Sequence, residues 1–139
     1  MSNKPATICL SGGCDPLHSG HVRMCLEAAE YGDVIFILNS DAWLMRKKGY
    51  VFMEWEERAE ILRAIRGVVD VVRVDDADGT VCEALRRIKP TYFGNGGDRK
   101  ETNTPEGDVC AEFGIKMLWN MGGGKTQSSS WIVDRVRSK

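Results

Sequence analysis

The fold is decided near the start of the chain, where residues 6–21 read ATICLSGGCDPLHSGH. Residues 6–11 are mostly apolar and run into a pair of glycines, which is typical of a β-strand that ends in a loop. Apolar residues with helical spacing follow the loop, at Val22, Leu26 and Ala29. The stretch therefore predicts a strand, a loop and a helix in succession.

The same alternation continues to the end of the chain. Residues 34–38 are an unbroken apolar run, as expected of a parallel strand that is covered on both faces. The other predicted helices are 54–65, 80–88, 104–114 and 132–136. The other predicted strands are 68–74, 91–93 and 115–119. Thr104 is the predicted N-cap of the third of these helices, with Pro105 at its first helical position. About five strands alternating with helices predict an α/β, Rossmann-like, doubly wound parallel sheet in one domain spanning 1–139. Ligands of such sheets bind beyond the carboxyl ends of the strands, so we expect function in those loops.

Composition narrows the class of partner. The chain has 139 residues, is 42% hydrophobic and carries a net charge of -1 from 19 basic and 20 acidic residues. This balance gives no electrostatic footprint for nucleic acid or an anionic membrane, so a small molecule is the expected partner. The polar start, without a signal-peptide pattern or membrane-length segment, predicts a cytoplasmic protein. The five cysteines, an odd number, predict reduced core thiols.

The first loop carries the groups that are best suited to chemistry. It places Asp15, His18 and His21 between a strand end and a helix start. Backbone N–H groups at a helix N-terminus carry partial positive charge and bind anions. Imidazoles can donate hydrogen bonds to oxygens that gain charge during phosphoryl transfer, and Gly20 leaves room for a phosphate between them. The loop predicts a phosphate-binding site.

This loop resembles the GxFDxxHxGH signature of the cytidylyltransferase-like nucleotidyltransferase superfamily, with Cys14 where the family usually has Phe. Within it, the short length and the segments 39–41 and 96–98 look most like glycerol-3-phosphate cytidylyltransferases and heptose-1-phosphate adenylyltransferases. The resemblance implies that His18 and His21 contact a triphosphate and stabilise the pentavalent state at its α-phosphorus. It also implies nucleotide contacts at Gly12, Gly13, Cys14, Asp15 and Gly20.

Two later segments match other parts of the family pattern. Ser128, Ser129 and Ser130 correspond to its Ser/Thr-rich second motif, preceded by Lys125 where the family often has Arg. A serine there can cap a helix and bind phosphate at once. The resemblance implies a catalytic contact from Ser129 and nucleotide contacts from Lys125, Ser128, Ser130, Gly97 and Asp98, with Asp98 on the ribose hydroxyls.

Three cations complete the expected site. By resemblance, Lys48 neutralises a phosphate of the triphosphate or acceptor, while Arg58 and Arg66 contact the acceptor. For residues 46–48 a solvated turn is an equal alternative. The implied reaction uses Mg²⁺ with CTP or ATP and a small phosphorylated metabolite, whose phosphate oxygen attacks the α-phosphorus in line. Related enzymes are commonly homodimers, so we expect a homodimer.

Other interpretations stay open. Cys14, His18, His21 and Cys25 have a spacing that zinc could use. Residues 124–126 imitate the end of a P-loop, but Trp119 stands where its first glycine belongs. The histidines could simply cap a helix. There are three further functional alternatives: an adenylyltransferase of nicotinate mononucleotide or pantetheine phosphate, a non-catalytic nucleotide-binding module, and an interaction domain. An interaction domain predicts that nucleotide does not raise the melting temperature.

Overall fold

The computed structural model describes residues 5–96 and 104–122 of the chain. Its strands are β1 Thr7–Gly12, β2 Asp33–Leu38, β3 Val68–Val72, β4 Tyr92–Gly94 and β5 Lys116–Leu118. Its helices are α1 Ser19–Ala28, α2 Asp41–Lys48, α3 Trp55–Arg63, α4 Cys82–Ile88 and α5 Gly107–Phe113.

The five strands form one parallel sheet in the order β3-β2-β1-β4-β5. This confirms the predicted α/β, Rossmann-like architecture. The chain first builds outward from β1 through β2 to β3 and then returns to place β4 on the other side of β1. The direction of winding therefore reverses between β1 and β4. Sheets of this kind bind ligands beyond the carboxyl ends of the strands at such a reversal.

Side chains that alternate along the strands build a core on each face of the sheet. Ile8 and Phe36 point into a cluster that includes residues of α1 and α3. Cys9 and Ile37 point into a second cluster with residues of α4 and α5. This arrangement explains the unbroken apolar run of β2, because its successive residues are buried on opposite faces.

The structure differs from the sequence-based expectations in two places. The helix α2 was not predicted, and residues 46–48, for which a solvated turn was an equal alternative, form its last turn. Leu44 is the buried residue of that helix, so the apolar pattern is too weak to reveal it. The N-cap of α5 is Glu106 rather than Thr104, whose carbonyl instead accepts from the N–H of Gly107 at 3.2 Å. The predicted helix at 132–136 lies outside the described residues.

All five cysteines are buried and unpaired, which agrees with the prediction of reduced core thiols. Burial raises the pKa of the Cys9 thiol to about 12 and that of Cys110 to about 11. Both therefore stay protonated at neutral pH and pack as small apolar side chains. No helix within residues 5–96 and 104–122 is long and apolar enough to cross a bilayer.

Candidate active site

His18 and His21 build the start of α1 together. His18 is the N-cap, with extended backbone (φ -147°, ψ 177°), and its Nδ1 accepts from the N–H of Gly20 at 3.0 Å. In return, the N–H of His18 donates to Nδ1 of His21 at 3.1 Å. This is a reciprocal capping box in which both side chains are imidazoles. One nitrogen of each ring is therefore used by the helix end.

The capping bonds fix the tautomer of both rings. Since each Nδ1 accepts a hydrogen bond, the neutral imidazole carries its proton on Nε2. The two rings lie against each other, with centroids 4.0 Å apart and planes inclined by 36°. Burial, with the nearby His18 and Lys48, lowers the pKa of His21 to about 3. His21 is therefore neutral at pH 7, with Nε2–H as its donor.

The glycines of the loop allow close packing. A Cβ on Gly20 would lie 2.8 Å from Cε1 of His18, so its absence lets the His18 ring fold back over the helix start. A Cβ on Gly13 would lie 3.0 Å from the side chains of both Trp43 and Leu44. The first loop is therefore packed directly against α2. Gly12 ends β1, and its carbonyl accepts from the N–H of Asn39 at 3.1 Å.

Lys48, the last residue of α2, reaches the first loop. Its Nζ donates to the backbone carbonyl of Asp15 at 2.7 Å. Burial is the main cause that lowers the pKa of this half-buried amine. The structure thus brings together three of the predicted catalytic residues, His18, His21 and Lys48. The fourth, Ser129, lies outside the described residues, as do Gly97, Asp98, Lys125, Ser128 and Ser130.

The side chains of Cys14 and Asp15 face the protein rather than a ligand. Asp15 is fully buried, and its carboxylate accepts from the N–H groups of Phe52 and Met53 at 2.6 Å each. Cys14 packs in the core, where burial raises the pKa of its thiol. The nucleotide contacts predicted for these two residues would therefore not come from their side chains. Asp15 instead fastens the loop between α2 and α3 to the first loop.

Arg58 does not present its guanidinium to an acceptor. The side chain is fully buried, with 0% exposure. Its Nε donates to the carbonyl of Met53 at 2.9 Å. Its Nη1 donates to the carbonyls of Gly13 at 2.7 Å and Asn39 at 2.9 Å. Its Nη2 pairs with Oδ1 of Asp41 at 2.5 Å. The predicted acceptor contact is therefore corrected: Arg58 holds together the ends of β1 and β2 and the loop before α3.

Arg66 lies at the wrong edge of the sheet for the expected role. It is exposed and comes two residues before β3 begins. In a parallel sheet that is the amino-terminal edge, and the five residues of β3 span roughly 16 Å. Within its own chain, Arg66 is therefore separated from the histidine loop, and its acceptor contact stays a prediction.

Sequence reasoning missed Asp76, which follows β3 and is 4% exposed. Its carboxylate accepts hydrogen bonds from Asn39 and Ser40, at the end of β2. A carboxylate a few residues after a strand is the signal that could have drawn attention to it, because strand ends meet at this edge.

The structure does not assemble the zinc alternative. Within residues 5–96 and 104–122, no group of three or more His, Cys, Asp or Glu side chains is arranged to hold a metal ion. Both Nδ1 atoms of the histidine pair accept backbone N–H groups.

Comparisons with known proteins agree with this geometry. The family model described as cytidylyltransferase-like matches residues 10–118. The bifunctional proteins HldE of Geobacter metallireducens and Pelobacter propionicus are 35% and 36% identical to this chain over 93% of its length. The chain spans about a quarter of those relatives, 26% and 27% of their lengths.

A solved structure shows the same fold. The lipopolysaccharide core biosynthesis protein from Thermoplasma volcanium superimposes with a TM-score of 0.68 at 17% identity, over 84% of this chain and 96% of that one. The order of the strands, the paired histidines after β1 and the family match over residues 10–118 lead to one conclusion. The chain belongs to the cytidylyltransferase-like family of nucleotidyltransferase enzymes.

Proposed function

We propose that this protein transfers CMP or AMP from CTP or ATP to a phosphorylated sugar or polyol and releases pyrophosphate. The observation that carries the proposal is the paired-histidine capping box, which holds two imidazoles at the start of α1, in the loop that follows β1. The earlier resemblance to heptose-1-phosphate adenylyltransferases and glycerol-3-phosphate cytidylyltransferases supplies the two leading substrate pairs.

The histidines act as hydrogen-bond donors in this proposal. Their Nδ1 atoms are occupied, so the Nε2–H groups serve the α-phosphate oxygens as these gain charge in the transition state. The low pKa of His21 keeps it neutral, so it donates without acting as a general acid. An acceptor phosphate is already nucleophilic, so positioning and charge stabilisation provide the catalysis. The acceptor oxygen bonds to the α-phosphorus as the bond from that phosphorus to the bridging oxygen breaks.

Lys48 supplies the positive charge on the other side of the loop. Its Nζ is anchored on the Asp15 carbonyl, next to the residues that lead to His18. An ammonium group held there neutralises charge on the triphosphate. Lys125 and the serines 128–130 would hold the same triphosphate from the second motif, with Ser129 as a catalytic contact. Gly97 and Asp98 would contact the nucleoside.

Mg²⁺ would arrive with the nucleotide. The three buried carboxylates of the described part of this edge, Asp15, Asp76 and Glu106, already accept hydrogen bonds from the protein. The ion would therefore be bound mainly through triphosphate oxygens and water, a coordination that Mg²⁺ commonly uses, and it would neutralise phosphate charge. We also propose that the protein acts as a cytoplasmic homodimer; light scattering tests the dimer.

The test is pyrophosphate release with Mg²⁺, crossing ATP, CTP, GTP and UTP against heptose, hexose and glycerol phosphates and pantetheine phosphate. ATP with a heptose 1-phosphate, or CTP with glycerol 3-phosphate, should release pyrophosphate only when both substrates are present. Release that ignores the acceptor contradicts the proposal. If every pair is silent while a nucleotide raises the melting temperature, the binding module is favoured. Loss of both responses rejects nucleotide chemistry altogether.

A further inference from the structure

Asp76 lies where β3 and β2 end side by side, and its carboxylate is directed at the start of α2. Oδ2 accepts from Nδ2 of Asn39 at 3.0 Å and from the N–H of Ser40 at 2.9 Å. Oδ1 accepts from Oγ of Ser40 at 2.6 Å. With 4% exposure, this carboxylate is held by the protein rather than by solvent.

The bond from Ser40 to Asp76 also orients the cap of α2. A serine hydroxyl has one proton, and here it is donated to the carboxylate. The lone pairs of the same oxygen are then left for the N–H of Trp43, which donates to it at 3.0 Å. Asp76 therefore orients the Ser40 hydroxyl so that its oxygen can cap the start of α2.

Asp76 contacts the far end of α2 as well. Nη2 of Arg46, in the last turn, donates to the Asp76 carbonyl at 2.7 Å and lies 3.9 Å from its Oδ1. The helix has 8 residues, with Leu44 as its buried residue. A helix this short is marginal by itself and depends on tertiary contacts. Asp76 supplies contacts to both of its ends.

We propose that Asp76 is a positioning residue of the active site, which sets the place of the Lys48 ammonium by holding α2 at both ends. Lys48 is the last residue of that helix, and its Nζ lies 2.7 Å from the Asp15 carbonyl in the histidine loop. The inference rests on the proposed function for the role of Lys48 on the triphosphate. Asp76 itself touches neither substrate.

A double-mutant cycle tests the inference. Asp76→Asn keeps the shape of the side chain but replaces one acceptor oxygen by a donor, so the bonds to residues 39 and 40 cannot all form. We expect kcat/KM for the nucleotide to fall about tenfold in the wild-type background and less than about twofold in a Lys48→Met background, because coupled residues are non-additive. A fall by the same factor in both backgrounds overturns the inference. Asp75→Asn, which changes the neighbouring exposed carboxylate, is the matched control.

Two further measurements keep the result decisive. If Asp76→Asn does not fold, Ser40→Ala removes the cap oxygen and enters the same cycle. If the protein binds nucleotide without turning it over, the same double-mutant cycle compares the Kd for the nucleotide in place of kcat/KM.

If no nucleotide binds, the proposed function fails on its own, and the titration of Lys48 decides the inference. It is followed by NMR on protein carrying ¹³C-methylated lysines. In Asp76→Asn the pKa of Lys48 should rise towards the usual lysine value, because the amine loses its half-buried position. An unchanged titration overturns the inference.

Discussion

The histidine loop after β1 and the interior beneath α2 and α3 both gather polar side chains at the carboxyl edge of the sheet, but they use them differently. His18 and His21 each spend one nitrogen on the helix cap and keep a proton on the other. Arg58 directs Nε, Nη1 and Nη2 at acceptors of the protein and has no exposed surface. The atoms that are already bonded inside the chain, and not the residue type, decide which side chain can meet a substrate.

The largest expected effect comes from Arg58→Met. It removes the donor of three backbone carbonyls, one buried and two partly buried, and leaves Asp41 without its partner. Leaving these acceptors unpaired should lower the free energy of unfolding by about 3–5 kcal/mol, measured by urea denaturation. The control is Arg63→Met, an exposed arginine of the same helix. Unchanged stability with a higher KM for the acceptor would restore Arg58 as a binding residue.

His18→Asn separates capping from chemistry in the other region. Asparagine is a good N-cap, so the melting temperature should stay close to that of the wild type. The Nε2–H donor is lost, and kcat should fall by about 10²–10³, as on removal of one donor to a transition-state oxyanion. His18→Ala should show the same loss of kcat together with a less stable fold. Wild-type kcat in the asparagine variant would mean that the ring serves only as a cap.

The pH dependence of stability tests the environment of His21. Its pKa falls from the ordinary 6.5 to about 3 in the folded chain, chiefly through burial. Between these values the unfolded chain binds the extra proton, so the free energy of unfolding falls as pH decreases from about 6.5 towards 3. The contribution of neutral His21 to the free energy of unfolding is fully present above pH 6.5.

The matched variant is His21→Gln, since glutamine also completes a capping box but does not titrate. From pH 7 to pH 5 it should lose about 1–2 kcal/mol less stability than the wild type, by urea denaturation at each pH. Parallel pH profiles of the two proteins would show that His21 titrates normally.

Gly20→Ala should have the smallest effect. The added Cβ would lie 2.8 Å from the His18 ring and displace it, so kcat should fall about tenfold. Stability should change little, since a weakened cap and a better helix former are each worth about 1 kcal/mol with opposite signs. Gly107→Ala is the control, because a Cβ there meets no atom within 4 Å. Equal kcat values for the two variants would contradict the inference that Gly20 sets the position of the His18 ring.

The parts of the fold that local pattern encodes could be predicted from the sequence. Two such signals are the apolar runs of β1 and β2 and the glycine-rich loop between β1 and α1. They predicted the position of His18 and His21 at the start of a helix. The helix α2 was missed because Leu44 is its buried residue and its other support comes from Asp76 and Asp15, which are distant in sequence. Asp76 accepts from its N-cap, Ser40, and the Asp15 carbonyl accepts from Lys48 at its end. The N-cap of α5 was misplaced because Glu106 also accepts from the N–H of Val81, a tertiary bond that no local pattern shows.

The roles of the charged residues were harder to predict. The sequence shows that Arg58 and Asp15 lie near the expected site, but not that their polar atoms are already used. The acceptors of Arg58 come from the ends of two strands and from a loop, so only the folded chain brings them together. The expected role of Arg66 comes from resemblance alone, and the topology places this residue at the opposite edge of the sheet from the histidine loop of its own chain.

The most direct test of the central claim follows the label from two radioactive nucleotides. The active nucleotide, carrying ³²P at either the α- or the γ-position, is incubated with its acceptor and Mg²⁺. If the histidine loop catalyses nucleotidyl transfer, the α-label appears in the acceptor product, the γ-label appears only in pyrophosphate, and His18→Asn slows both in parallel. Transfer of the γ-label to the acceptor, or α-label transfer that His18→Asn leaves unchanged, would contradict the account.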